Sequence, residues 1–244
     1  MEAPTFCVGL PKAGTHSLAG LLDPACRVSH EPRIEELLAW VQARRDGRLS
    51  ARALRRRLRR RHRALGLDVE CSHLLAEVLP DLLHVVPEAR VVLLVREPRS
   101  WVDSMINDQL NLREWERYRA FEPLYDLYFD DGQAAFPPEE HPLEVRGLYP
   151  LASYLRYWRE RIELVERTVE PARLLTVPTE QLTADPRPIV SFLGLDGADL
   201  DVAAAHAHRA RRRHGVLDSI DADHVERTIE VQAGATRRRL FGAG

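Results

Sequence analysis

Short apolar segments alternate with longer amphipathic segments along the chain. The short segments are rich in Val and Leu with little polar alternation, as expected of strands covered on both faces; they span residues 5–10, 26–29, 67–71, 90–96 and 173–177. The longer segments have helix length and span residues 15–22, 34–45, 50–65, 73–86, 100–112 and 151–169. This alternation predicts an α/β fold with a mostly parallel, doubly wound sheet, whose functional site lies at the carboxyl ends of the strands.

One of the predicted helices is unusually rich in arginine. Residues 44–63 contain eleven arginines and one acidic residue around four leucines whose spacing lets them share a helix face, Leu49, Leu54, Leu58 and Leu65. For most of these charges the pattern favours a solvated arginine face over a leucine stripe. A nucleic-acid-binding helix is the alternative, but the chain has a net charge of -2, and residues 120–144 carry seven acids and no Lys or Arg. These observations argue against nucleic acid as a partner.

The middle of the chain is rich in aromatic residues and prolines. Residues 115–149 have no convincing period and contain four prolines, which predicts an inserted lid or loop region. Twelve of the sixteen aromatic residues fall between Trp101 and Trp158, so this stretch forms either the wall of an organic acceptor pocket or, for half or more of its rings, core. We therefore expect one domain over residues 1–244, with a lid at about 115–149 and a basic helical tail at about 203–244.

Composition narrows the class of protein. A chain of 244 residues with 45% hydrophobic residues can bury the core of one large α/β domain. The longest aliphatic run, residues 91–95, is too short to span a bilayer, and the first residues lack the pattern of a signal peptide. The three cysteines form neither a disulfide nor a zinc spacing. These features predict a cytoplasmic protein without a membrane span, and they leave the oligomeric state open.

The first chemical motif is the segment Gly9–Leu18, GLPKAGTHSL, which lies between a predicted strand and a predicted helix. Such a turn directs backbone N–H groups and a helix N-terminus at one point, where an anion is stabilised. Lys12 is the only lysine among 35 basic residues, and it adds a full positive charge. Thr15, His16 and Ser17 add further donors. A Walker A loop would place the lysine at position 15, so this loop differs from that motif; the alternative is a glycine-containing turn without a ligand.

The segment Pro11–Leu18 resembles the 5′-phosphosulfate loop, Pro-Lys-x-Gly-Thr-x-x-Leu, of the sulfotransferases that use 3′-phosphoadenosine 5′-phosphosulfate (PAPS). A second segment, Arg96–Ser104, is similar to the 3′-phosphate signature of that family. In that signature an Arg lies at the end of a strand, a Pro follows two residues after the Arg, and a Ser follows eight residues after it. Residues 174–195 resemble a later strand, an acidic turn and a Phe-Leu-Gly-Leu helix end. The resemblance covers residues 5 to about 195 and implies a P-loop NTPase-like, three-layer α/β/α fold with a central parallel sheet of about five strands.

The resemblance implies a reaction and a set of binding residues. The reaction is in-line transfer of a sulfuryl group from PAPS to a hydroxyl or amine of a small-molecule or carbohydrate acceptor, and it needs no metal. If the acceptor is aromatic, the aromatic stretch would suit it as a binding pocket. Lys12 would also stabilise the leaving oxygen, and Arg96 and Ser104 would bind the 3′-phosphate. Arg212 and Arg213 resemble part of the Arg-Lys-Gly loop of cytosolic members; a solvated tail is the alternative. The PAPS-binding loop comprises Pro11, Lys12, Ala13, Gly14, Thr15, His16 and Ser17.

Two residues compete for the role of the base that deprotonates the acceptor. Glu31 follows the second predicted strand, where sulfotransferases acting on carbohydrates and protein tyrosine place a glutamate, and it is the first candidate. His73 is the second, because it occupies the place of a histidine in cytosolic members, and His30 could tune Glu31. Structural roles remain as alternatives: Glu31 as a turn residue before proline, and His73 as a helix cap. A P-loop small-molecule or nucleoside kinase is the alternative function.

Overall fold

The computed structural model describes residues 3–113, 122–130, 132, 135–204 and 212–242. The chain divides into two compact units. The first unit comprises residues 1–95 and 162–208, and the second comprises residues 96–161 and 209–244. The single-domain organisation with a lid and a tail stays a prediction.

The first unit contains a sheet of five parallel strands in the order β2-β3-β1-β4-β5. The strands are β1 Thr5–Gly9, β2 Val28–His30, β3 Val69–Cys71, β4 Arg90–Val95 and β5 Leu174–Pro178. All five strands predicted from the sequence are present, with ends shifted by at most two residues. The α/β class and the five-stranded parallel sheet are confirmed.

The centre of the sheet is formed by β1 and β4, whose residues are almost all buried. Their register runs from Thr5 opposite Arg90 to Gly9 opposite Leu94. A Cβ atom on Gly9 would lie 2.7 Å from the carbonyl oxygen of Leu94, so the close approach of the two strands requires glycine at this position. Because the strands are parallel, the segments that follow them begin at the same edge of the sheet.

The predicted helices are also present. In chain order the described α-helices are α1 Thr15–Leu22, α2 Ile34–Arg45, α3 Ala51–Leu65, α4 Leu79–Val85, α5 Pro98–Arg113, α6 Glu122–Phe129, α7 His141–Glu144, α8 Leu151–Thr168, α9 Gln181–Ala184, α10 Arg187–Leu193 and α11 Ala222–Phe241. The segment predicted as one helix over 73–86 instead begins as a 3-10 helix, His73–Val78, before α4. The second residue of α4 is Pro80, which has no N–H to continue the preceding turn and is tolerated in the first turn of a new helix.

The second unit is built around aromatic side chains. Rings from α5, α6 and α8 lie with centroids 4.5 to 6.5 Å apart. The buried rings are Trp101, Tyr128, Phe129, Tyr154, Tyr157 and Trp158. These six residues are therefore core, which was the alternative to a pocket wall. The helix α6 was not apparent from the sequence pattern, because it is short and lies in a proline-containing segment; part of the predicted lid thus contributes to the core of this unit.

Candidate functional site

The loop between β1 and α1 has a constrained backbone. Lys12 and Gly14 have positive φ angles of 64° and 99°. A Cβ atom on Gly14 would lie 3.0 Å from Cγ2 of Thr179 and 3.1 Å from Cδ1 of Leu182, so both the conformation and the space require glycine. The loop is therefore held in one shape by the segment that follows β5.

Thr179 is a residue of this loop environment that the sequence pattern did not single out. Its Oγ1 donates a hydrogen bond to the carbonyl oxygen of Ala13 at 2.7 Å. Its backbone N–H donates to the carbonyl oxygen of Val95 at 2.7 Å. The only signal for Thr179 in the sequence is its position directly after β5. Its contact with Ala13 depends on the order of the strands, in which β4 lies between β5 and β1.

The start of α1 is suited to an anion. The N-cap residue is Gly14, so no side chain caps the helix. The N–H groups of Thr15, His16 and Ser17 have no carbonyl acceptor within the helix and carry the partial positive charge of its N-terminus. Lys12 lies in the same loop and adds a full charge. These residues fit a phosphate-bearing ligand such as the 5′-phosphosulfate group of PAPS.

The structure brings together the two competing candidates for the base. Nδ1 of His73 lies 2.6 Å from Oε1 of Glu31. Glu31 follows β2 and His73 begins the 3-10 helix after β3, and these strands are neighbours in the sheet. The backbone N–H of Glu31 also donates to the carbonyl oxygen of Cys71 at 2.9 Å, which extends the pairing of the two strands. Glu31 and His73 thus form one hydrogen-bonded dyad rather than two separate candidates.

The electrostatics of the dyad favour an ionised Glu31. Burial raises the pKa of Glu31. The charge and the hydrogen bond of His73, with smaller contributions from His30 and His16, together lower this pKa by more than burial raises it, so it lies below its ordinary value. An ionised carboxylate only accepts hydrogen bonds, so Nδ1 of His73 is the donor. In the neutral form of His73, this hydrogen bond places the ring proton on Nδ1 and the lone pair on Nε2.

His30 connects the dyad with the loop. Its Nε2 lies 3.1 Å from Oγ1 of Thr15 and 3.9 Å from Oε1 of Glu31. Its ring centroid lies 4.6 Å from that of His16. Thr15, His16, His30, Glu31 and His73, all predicted from the sequence, therefore lie in one cluster at the carboxyl ends of β1, β2 and β3.

Backbone strain is concentrated near this cluster. Among the residues that the structure describes, three non-glycine residues have positive φ: Lys12, Glu31 and Arg33. Such conformations cost about 1 kcal/mol or more and persist only where surrounding contacts enforce them, typically at functional sites. Two of the three are candidate catalytic residues.

A buried ion pair lies against the turn that contains Glu31. Nη2 of Arg61 donates to the carbonyl oxygen of Pro32 at 2.5 Å. Nη1 of Arg61 lies 2.6 Å from Oε1 of Glu70, a contact with the geometry of an ion pair rather than of a linear hydrogen bond. The side chains of Arg61 and Glu70 are only 3% and 4% exposed. Burial raises the pKa of Glu70, and Arg61 offsets part of that effect.

Arg61 is an exception in the arginine-rich helix, most of whose charges are expected to be solvated. Leu49, Leu54 and Leu58 are buried as predicted. Arg61 is also buried, because it lies three residues after Leu58 and four before Leu65 and so shares the leucine face of α3. A helical wheel of the sequence contains this signal, but the burial of an arginine depends on a partner such as Glu70, which is not visible from the pattern.

In the second unit, Arg96 and Ser104 occupy the positions expected of them. Arg96 directly follows the end of β4, and α5 begins at Pro98. Nε of Arg96 donates to Oγ of Ser100 at 2.8 Å. Ser104 lies one turn further along α5 and is 8% exposed. Ser100 was not singled out in the sequence, although it lies four residues after Arg96.

The segment 212–214 is held by polar side chains of α5. The backbone N–H of His214 donates to Oδ1 of Asn107 at 2.6 Å, and Nδ2 of Asn111 donates to the carbonyl oxygen of Arg212 at 3.0 Å. Nη2 of Arg213 lies 3.8 Å from Oδ2 of Asp103. Arg212 and Arg213 are exposed on the second unit. The neighbouring arginines 209 and 211 lie outside the described residues.

The described part of the chain contains neither a membrane-spanning helix nor a cluster of metal ligands. No described helix combines the length and the apolar composition needed to cross a bilayer. Within the same residues, no group of three or more His, Cys, Asp or Glu side chains is arranged to hold a metal ion.

Comparison with known proteins identifies the family. A family model described as "Sulfotransferase domain" matches residues 5–208, so the chain belongs to the sulfotransferase family and is an enzyme of sulfuryl transfer. The fold is shared with a sulfotransferase from Alicyclobacillus acidocaldarius, at 14% identity and a TM-score of 0.56 over 100% of this chain and 97% of that chain.

Two further solved structures are more distant in geometry. Mouse sulfotransferase SULT7A1 complexed with PAP is 16% identical, with a TM-score of 0.49 over 98% of this chain and 88% of that chain. Sulfotransferase STF9 from Mycobacterium avium is 14% identical, with a TM-score of 0.49 over 100% of this chain and 78% of that chain. No curated protein sequence shows significant similarity to the chain.

Proposed function

We propose that this sulfotransferase takes its sulfuryl group from PAPS and transfers it to a hydroxyl or amine of a small-molecule or carbohydrate acceptor. The observation that carries the proposal is the loop before α1, where Lys12 and an uncapped helix start lie together. The family membership supports the same conclusion. The loop sequence supports PAPS as the donor because it resembles the 5′-phosphosulfate loop of PAPS-dependent enzymes.

The binding residues have separate tasks in this proposal. The N–H groups at the start of α1 bind the 5′-phosphate, and Lys12 neutralises its charge. Arg96 and Ser104 bind the 3′-phosphate, with Ser100 holding the guanidinium of Arg96. Arg212 and Arg213 provide further positive charge for the nucleotide.

The dyad provides the base. PAPS supplies the activated sulfuryl group when it is bound. His73 takes the proton of the acceptor on Nε2, and Glu31 stabilises the resulting imidazolium through Nδ1. The acceptor atom then forms a bond to sulfur while the bond from sulfur to the 5′-phosphate oxygen breaks, and Lys12 stabilises the charge that develops on that oxygen. Adenosine 3′,5′-bisphosphate leaves, and positioning and charge stabilisation carry most of the rate.

This division of labour reverses the order of the two candidates inferred from the sequence. Oε1 of Glu31 already accepts the hydrogen bond from Nδ1 of His73, so in this proposal the proton of the acceptor goes to Nε2, and histidine is the side chain most often used as a general base. Glu31 is therefore a positioning residue for His73, and His30 links Thr15 to Glu31.

Thermal unfolding with adenosine 3′,5′-bisphosphate tests the choice of donor. In EDTA, the bisphosphate should raise the Tm, since a ligand at one hundred times its Kd stabilises the folded state by about 2.7 kcal/mol. The matched control is Gly14→Ala, which distorts the loop. A rise in Tm with ATP and none with the bisphosphate would instead support the kinase alternative. A mass-spectrometric screen of acceptors with PAPS would then identify the acceptor by the gain of one sulfuryl group.

A further inference from the structure

The outer surface of the first unit contains a basic pocket between α3 and α4. The cavity has a volume of about 390 Å³ and is lined by Arg52, Arg55, Arg56, Arg59 and His84. The four arginines are three or four residues apart along α3, so they lie on one face of the helix. His84 comes from the last turn of α4.

The positive charge of this pocket is poorly compensated. Asp81 pairs with Arg55, with Nε and Oδ1 2.6 Å apart. Arg52, Arg56 and Arg59 form no ion pair with any carboxylate in the described part of the chain. Four guanidinium groups thus face one carboxylate.

Some exposed arginines elsewhere in the first unit each have a carboxylate partner. Arg27 lies 2.9 Å from Asp68, and Arg187 lies 2.7 Å from Asp185. The chain has 37 acidic residues against 35 Lys and Arg, so acidic partners are abundant in its composition. The excess charge of the pocket therefore reflects the local arrangement rather than the composition of the whole chain.

This arrangement is unfavourable without an anion. Like charges three or four residues apart on a helix destabilise it. A bound oxyanion would relieve this repulsion, and the planar fork of a guanidinium binds phosphate or sulfate oxygens in pairs. A cavity of about 390 Å³ has the size of a small-molecule site and can hold more than a single phosphate.

We propose that this pocket binds a phosphate or sulfate ester that carries at least two negative charges. None of its lining residues belongs to the loop 11–17 or to the dyad of Glu31 and His73, so it is a second anion site in addition to the one proposed for PAPS. The inference does not depend on the proposed function, because it rests on the arginines of α3 and on the cavity that they line.

Calorimetric titration of the full chain tests the pocket. The probes are inorganic pyrophosphate and a heparin tetrasaccharide, added after saturation with adenosine 3′,5′-bisphosphate to fill the loop 11–17. The variant R52Q/R56Q/R59Q should bind both probes at least tenfold more weakly than the wild type. The matched control R44Q/R45Q/R60Q removes the same charge from exposed positions outside the pocket and should change either affinity less than twofold.

Each outcome decides the inference. Binding of pyrophosphate alone would indicate a free small anion as the ligand. Binding of the tetrasaccharide alone would indicate esters on a carbohydrate chain. Either result supports the pocket if the variant R52Q/R56Q/R59Q loses the binding. Equal losses in the two triple variants would show a general effect of net charge and overturn it, as would no binding to the wild type. Failure of the bisphosphate to bind would contradict only the proposed function, since neither triple variant changes the loop 11–17.

Discussion

Replacement of Arg61 by methionine tests the buried ion pair beside the candidate site. Arg61→Met removes the guanidinium that contacts Glu70 and Pro32 while keeping an unbranched side chain. Removing one partner of a buried pair usually costs about 3 to 5 kcal/mol, because the other charge stays buried without compensation. We expect the free energy of unfolding to fall by about 3 kcal/mol at pH 8, near the lower end of this range. The loss is small for a buried pair because Nε of Arg61 has no acceptor among the described residues and because Glu70 can take up a proton once the guanidinium is gone.

The loss should depend on pH in a defined direction. Burial already raises the pKa of Glu70, and removal of Arg61 would raise it further above the value in the unfolded chain. The folded variant then binds more protons than the unfolded chain, so its stability falls as pH rises through the interval between the two pKa values. The cost of Arg61→Met should therefore be largest at pH 8 and smallest near pH 4, below the ordinary pKa of glutamate.

Urea unfolding of a matched pair of variants measures this effect. The double variant Arg61→Met/Glu70→Met replaces the pair by apolar side chains and should recover most of the stability. A single variant that loses less than about 1 kcal/mol, or a double variant as unstable as the single one, would refute the reasoning. Both variants lack the donor to Pro32, so both should have a lowered kcat even where the double variant is stable; an unchanged kcat would show that Arg61 does not position Glu31.

The remaining predictions concern the division of labour in catalysis. Lys12→Ala should lower kcat far more than PAPS affinity, because its contact strengthens as charge develops on the leaving oxygen; single-turnover kinetics and PAPS binding distinguish the two. Arg96→Ala and Ser104→Ala should mainly weaken PAPS binding, and an unchanged Kd for Arg96→Ala would contradict its assignment. His73→Asn should lower kcat by ~10²- to 10⁴-fold, with a smaller loss for Glu31→Gln. The opposite order would assign the base to Glu31.

Much of the architecture follows from local sequence. The apolar runs specify the central strands β1 and β4 most clearly, because a strand buried on both faces needs a continuous apolar segment, whereas the edge strands β2 and β5 are largely half-buried. The helix α3 is specified by its leucine spacing and by its ends, since the side chain of Ser50 accepts a hydrogen bond from the N–H of Ala53 and Gly66 takes a positive φ. The loop before α1 is recognisable because glycine and lysine at fixed spacing are needed for its backbone and its charge.

The site itself depends on contacts between distant parts of the chain. Glu31 and His73 are 42 residues apart, and Thr179 and Ala13 are 166 residues apart. Local periodicity does not specify the order of strands, yet the order β2-β3-β1-β4-β5 is what brings Glu31 to His73. The sequence alone therefore determined the elements and the residue types of the site. Only the tertiary structure decided that the two candidate bases form one dyad and that Arg61 is buried, because both depend on a partner from another element of the chain.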